Sequence, residues 1–148
     1  MSLKYSQGIF TPKNPNKYIG RGSIRYRSSW ELKFMNFLDD HPSVKQWASE
    51  SISIKYQNPV AKKVKSYVPD FFIIYEDANG NRKGELVEIK PHKETTLEAA
   101  GRSVKNQIQA AVNQAKWEAA REFCKRNGIN FRVITEHDMF SNTKKRKR

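Results

Sequence analysis

This 148-residue chain has a single cysteine, about half as many acidic residues as basic ones and no long apolar run. A single cysteine, Cys124, leaves no pair for a disulfide framework and fits a reducing compartment. It falls on a helical apolar stripe, where a small buried core residue is the expected role. No stretch approaches the roughly 18 apolar residues of a membrane span, and Met1 to Gly8 lacks the apolar heart of a secretory signal, so a cytoplasmic protein with no membrane partner is expected. Carboxylates are scarce beside cations: 28 Lys and Arg stand against 15 Asp and Glu, a formal charge of +13. Subtracting the five cations of Lys144-Lys145-Arg146-Lys147-Arg148 leaves +8, so the excess belongs to the body of the chain and not only to its tail. A surface of that sign suits a polyanion such as nucleic acid.

Against that background, acidic residues embedded in apolar strands ask for a reason. Tyr67 to Ile74 reads as one strand, with Asp70 entering it behind Pro69, and Glu85 to Pro91 reads as a second. Asp77-Ala78-Asn79-Gly80-Asn81 between them is a hairpin turn, which makes the two strands antiparallel neighbours. Period-two alternation puts Glu88 and Lys90 on one face and Ile89 on the other. In such a hairpin Asp70 meets Glu88 and Lys90 only at the open end. Burying these charges is costly unless they are paired or bind a cation. Two carboxylates offer hard oxygen ligands for Mg²⁺, and a lysine beside them can orient or deprotonate an attacking water.

The rest of the chain supplies a setting for that pair. Residues 1–27 are polar, basic and without strand or helix period, which predicts an irregular arm; Arg21, Arg25 and Arg27 there can contact phosphates, while Tyr18 or Tyr26 stacks on bases or caps the core. Ser28 to Glu31 has capping-box spacing and opens a helix that carries Trp30, Phe34, Phe37 and Leu38 on one face and stops near His41-Pro42. Spacing alone leaves Glu31 two roles, reaching back to the cap or turning toward the strands. Val44 to Glu50 and Ile52 to Tyr56 carry strand signals, and Lys62, Lys63 and Lys65 form a basic connection. Leu97 to Asn127 forms a long helical region, with Gly101 marking a break or a late start, and Ile129 to Thr135 a final strand. The fold class is therefore α/β, a mixed β-sheet of about four to five strands flanked by helices, with a core at 28–140 and a basic tail at 141–148. His41, His92 and His137 lack metal-ligand spacing and read as turn or surface residues, His92 being the one near the carboxylates.

Pro69-Asp70 followed by Glu88-Ile89-Lys90 resembles the signature of the PD-(D/E)xK nuclease superfamily, whose core is restriction-endonuclease-like. Ser29-Trp30-Glu31 with Phe34, Val87 to Pro91, Ala115-Lys116-Trp117 and Phe131 to Glu136 narrow the resemblance to the TnsA-like branch and the head-completion nucleases of tailed bacteriophages. The resemblance implies that Asp70, Glu88 and the backbone carbonyl of Ile89 hold Mg²⁺, with Mn²⁺ as a substitute. It implies that Lys90 positions the water and that Glu31, on the preceding helix, completes the catalytic set. Lys105, Gln109 and Lys116 on the long helix are its candidates for substrate contact.

The function it implies is metal-dependent endonucleolytic hydrolysis of DNA, leaving a 5′-phosphate and processing DNA ends during phage head completion. Phage head or portal proteins and a second copy of the chain are then the expected partners, and the bacterial cytoplasm or the virion head the location. The arm and Lys62 to Lys65 would bind backbone without reading bases, and the tail would act as a DNA clamp or a nuclear signal. Three other readings compete: a junction-resolving nuclease, a non-catalytic DNA-binding head protein that keeps the fold, and a basic structural domain in which Glu88 and Lys90 are only a surface ion pair.

Overall fold

The structure, a computed structural model, describes residues 7–140; the basic tail read from the sequence lies outside them. The order of elements is β1 (Gly8–Phe10), β2 (Ile24–Tyr26), α1 (Ser29–Asp40), β3 (Val44–Ser49), β4 (Ile54–Asn58), β5 (Lys63–Tyr67), β6 (Phe71–Glu76), β7 (Arg82–Ile89), α2 (Leu97–Ala100), α3 (Val104–Asn127) and β8 (Asn130–Ile134). A helical turn at 136–140 follows.

Four strands make the central sheet, in the order β3-β6-β7-β8. β6 pairs antiparallel with both β3 and β7, and β8, arriving after the α3 crossover, pairs parallel to β7. This is the mixed α/β sheet that the strand and helix periods predict. The turn between β6 and β7 forms as its residues require: the Asp77 carboxylate accepts from the N–H groups of Asn79 and Asn81, and Gly80 takes φ +82°.

Alternation along β7 divides the molecule into two cores. Val87 and Ile89 face α1 and pack with Phe34, Leu38, Phe71 and Ile73. Leu86, on the opposite face, packs with Trp117 and Cys124 of α3 and with Tyr56 and Tyr67 of β4 and β5. Cys124 is thus the buried core residue expected of it, its thiol pushed up to about 11 by burial. The α1 helix forms because Ser28 caps it, accepting from the Glu31 N–H at 3.1 Å, and it ends where His41 turns extended before Pro42. At Gly101 (φ +63°) the helical region does break, giving α2 and α3, and Gly128 in the left-handed region closes α3.

Three expectations need correction. The first 27 residues are not an irregular arm throughout: β1 pairs antiparallel with β2, and Phe10 and Ile24 are buried in the α1-side core. The carboxylate of buried Asp39, near the end of α1, accepts the backbone N–H groups of Lys13 and Asn14 at 2.8 and 3.0 Å, which ties this segment down. Tyr18 caps the core, its ring 4.7 Å from that of Trp47 and its hydroxyl accepting from the Ser49 N–H. Second, Lys63 and Lys65 are not in a connection but in β5, which pairs with β4 as a separate two-stranded ribbon. Third, Tyr67 and Asp70 do not share a strand. Pro69 lacks an N–H to continue a ladder, so the chain leaves the ribbon after Tyr67 and joins the central sheet at Phe71.

Candidate active site

Asp70 stands just before β6 and Glu88 near the end of β7, where the register Phe71 to Val87 brings the two strand ends together. The Asp70 Oδ2 accepts the Ile89 backbone N–H at 2.7 Å. Glu88, only 5% exposed, accepts the Tyr67 hydroxyl on Oε1 at 2.9 Å and faces the Lys90 ammonium across 3.4 Å on Oε2. The open end of the hairpin therefore assembles Asp70, Glu88 and Lys90, as strand alternation requires.

Electrostatics at this corner are unfavourable in a specific way. Burial raises the Asp70 pKa well above the usual carboxylate range, and the adjacent Glu88 charge raises it further. Burial likewise raises Glu88, against the opposing pull of Lys90 and the Tyr67 hydrogen bond. Two desolvated carboxylates with one lysine between them leave an excess of negative charge when both are ionised. Their donor chemistry, hard oxygens converging on one corner, fits a divalent cation, which would favour the ionised forms of both.

Glu31 comes to the same neighbourhood but is engaged. Its Oε1 accepts the Arg27 backbone N–H at 3.0 Å, while its own N–H is capped by Ser28. Burial raises its pKa first, and the charges of Glu50 and Glu88 raise it too; it in turn contributes to the shift of Asp70. Glu31 thus reaches back past the cap residue to Arg27, and its charge is also felt by Asp70. Among the described residues, no group of three or more His, Cys, Asp or Glu side chains is gathered closely enough to hold one ion.

The cationic candidates divide. Lys116 leans from α3 over the rings of Tyr56 and Tyr67 and feels the charges of Lys90, Glu88 and Asp70, so it belongs to this corner. Lys65 lies opposite Tyr56 on the ribbon and is close enough to Lys116 to affect it. Arg27 is tied to Glu50 by an ion pair at 3.0 Å. Arg21, Arg25, Lys62 and Lys105 are exposed and not drawn into the corner by any contact with it. Gln109 is committed elsewhere, donating to Asn113.

His41 is a turn residue, its Nδ1 accepting from the Ser43 N–H. His92 and His137, distant in sequence, bring their rings to 4.8 Å just beyond Lys90, where Glu136 also accepts the His92 N–H. A cleft of about 280 Å³ between the end of α1 and the sheet, lined by Phe37, His41, Ile73, Tyr75 and the Glu85–Arg132 pair, opens on the sheet face opposite Glu88 and contains none of Asp70, Glu88, Lys90 and His92.

Sequence reasoning missed Tyr67. It places a hydroxyl on Glu88 and a ring under Lys116, yet in sequence it is simply the apolar end of a strand. Pro69 was the available signal, since a proline two residues on separates Tyr67 from the Asp70 strand.

The pattern of strands, helices and carboxylates has relatives. Residues 41–136 match the family model described as the TnsA-like endonuclease N-terminal domain, a span that includes Asp70, Glu88 and Lys90 but not Glu31. The chain is also 36% identical over 144 residues to the head completion nuclease of Enterobacteria phage T4, covering 90% of this chain and 93% of that protein. On both counts the chain belongs to the TnsA-like endonuclease family.

Proposed function

We propose that this protein is a metal-dependent DNA endonuclease that processes DNA ends during phage head completion. The observation that carries the reading is the corner itself: buried Glu88 and half-buried Asp70, both raised by burial, with Asp70 clamped to the Ile89 N–H and Lys90 beside Glu88, in a chain of the TnsA-like endonuclease family. The head-completion role rests on similarity to the T4 head completion nuclease over nearly the whole length of both chains.

Asp70, Glu88 and the Ile89 carbonyl would hold Mg²⁺ or Mn²⁺, with Glu31 available once its Arg27 contact is released. Such an ion supplies Lewis acidity, lowering the pKa of water and countering charge on the phosphoryl oxygens. Lys90, held beside Glu88, orients the attacking water and shares in balancing the charge that grows on the phosphate. The Ile89 N–H fixes the Asp70 carboxylate so that it need not reorganise when substrate arrives. Glu88 is fixed from the other side by Tyr67. Attack at phosphorus with departure of the 3′ oxygen leaves a 5′-phosphate. Arg21, Arg25, Lys62, Lys63 and Lys65 hold the DNA backbone, and the affinity then depends on salt and on DNA shape.

The test is cleavage of linear, nicked, branched and single-stranded DNA with Mg²⁺ or Mn²⁺, beside folded Asp70→Ala and Lys90→Ala variants. Metal-dependent cutting that both variants lose is expected. Equal cutting by the variants, or none by the parent protein, would refute the enzyme reading.

A further inference from the structure

Lys116 occupies an unusual position for a lysine. Its ammonium lies 5.6 Å from the Tyr67 ring centroid and 5.9 Å from that of Tyr56, and the two rings meet edge-on at 6.5 Å, forming an aromatic corner under the charge. It is half-buried, and among the described residues it makes no hydrogen bond or ion pair. Aromatic faces attract a cation but are poor hydrogen-bond acceptors, so its three N–H donors have no partner among the described residues and are open to an incoming acceptor.

The surroundings say what those donors are for. Burial and the charge of Lys90 disfavour the protonated form of Lys116, and Lys65 adds to this; only Glu88 and Asp70 act the other way. Three ammonium groups thus surround the carboxylate corner from three elements: β5, the end of β7 and α3. Lys63 and Lys65 share the ribbon face of Tyr56 and Tyr67, because β5 residues 63, 65 and 67 oppose Asn58, Tyr56 and Ile54. The cations continue along the ribbon away from Glu88, the distribution that a linear chain of phosphates matches and a single small anion does not.

Tyr67 joins the two halves. Its hydroxyl holds Glu88 Oε1, and its ring is one wall of the Lys116 corner. We propose that Lys116 binds a phosphate of the nucleic-acid strand beside Glu88, and that Tyr67 is the positioning residue that fixes this phosphate contact relative to the Glu88 carboxylate. The proposal rests on the nuclease reading for the identity of the strand and goes beyond it in placing the Lys116 contact on the phosphate beside Glu88 and in giving Tyr67 a role.

Two readouts on the full chain separate these roles: DNA binding without metal as a function of salt, and Mn²⁺ binding by calorimetry. Lys116→Met should reduce the salt slope by about one phosphate's share, roughly 0.9 on duplex DNA, while Mn²⁺ affinity holds or rises because a cation facing the carboxylates is gone. Lys116→Arg should restore the slope. Tyr67→Phe keeps the ring and loses the hydroxyl, so it should weaken Mn²⁺ binding about ten-fold or more with the salt slope unchanged. Tyr67→Leu should alter both. Melting curves for each variant establish that it is folded, and Lys116→Arg and Tyr67→Phe keep the packing. An unchanged slope in Lys116→Met, or a Tyr67→Phe protein with Mn²⁺ affinity intact, would overturn the corresponding assignment. Because neither readout needs turnover, a parent protein that cuts no DNA would sink the nuclease reading while these measurements still decided Lys116 and Tyr67.

Discussion

The Asp70 carboxylate accepts the backbone N–H of Ile89 at 2.7 Å, so the carboxylate before one strand is clamped to the backbone between Glu88 and Lys90 on the next. One hydrogen bond thereby sets the spacing of the whole charged corner. It also holds an acid whose ionisation the site resists.

Removing that acid separates stability from activity. Asp70→Asn retains an oxygen that can accept from Ile89 and deletes one of two repelling charges, so the melting temperature is expected to hold or rise. DNA cleavage should fall by about two orders of magnitude or more. Thermal melts beside a cleavage assay check both.

The pH dependence follows from the raised Asp70 and Glu88 values. Between the ordinary carboxylate range and those raised values, the folded protein keeps protons that the unfolded chain gives up. Stability without metal is therefore highest on the acid side of this window and declines as pH rises through it. Lys90, Lys116 and Glu31 face the pair and shift the window without changing the sign. Added Mn²⁺ should raise the melting temperature at neutral pH and lose that effect on acidification, as scanning calorimetry across about pH 4 to 8 would show.

Glu31→Gln tests the residue with two roles. The amide oxygen can still accept the Arg27 N–H, so helix stability should change by no more than about 0.5 kcal/mol. A fall in cleavage at unchanged melting temperature is the expected result. Unchanged cleavage would leave Glu31 with the cap alone.

The hairpin and its three charged residues were legible because everything needed was local: alternation in Glu85 to Lys90, a turn signal at Asn79-Gly80, and a proline marking Asp70. The β1–β2 pair was not. Each strand is three residues long and the two are separated by 13 residues, so no window of sequence holds enough of either to display a period. Lys63 to Ser66 escaped notice for a different reason: both faces of β5 are exposed there, and without burial there is no alternation to read. Tyr67 and Lys116 meet only because α3 crosses over the ribbon, a contact set by packing between elements that sequence spacing does not encode.

Phe10→Ala measures how much the N-terminal pair matters. Phe10 is buried against Trp47, with ring centroids 5.9 Å apart, so its truncation should cost about 3–5 kcal/mol in denaturant unfolding. An exposed arm residue such as Arg21→Ala should cost less than about 0.5 kcal/mol.

The Asp39 clasp on Lys13 and Asn14 sets a boundary for anyone who would shorten this protein. The family match begins at residue 41, beyond α1, and even a milder cut that keeps α1 and removes everything before it reaches this clasp. Such a truncation would take away the donors that hold a buried carboxylate and the lid over Trp47 in the same cut. A shortened version that keeps the clasp and the buried Phe10 has to include β1, well outside the segment by which its family is identified.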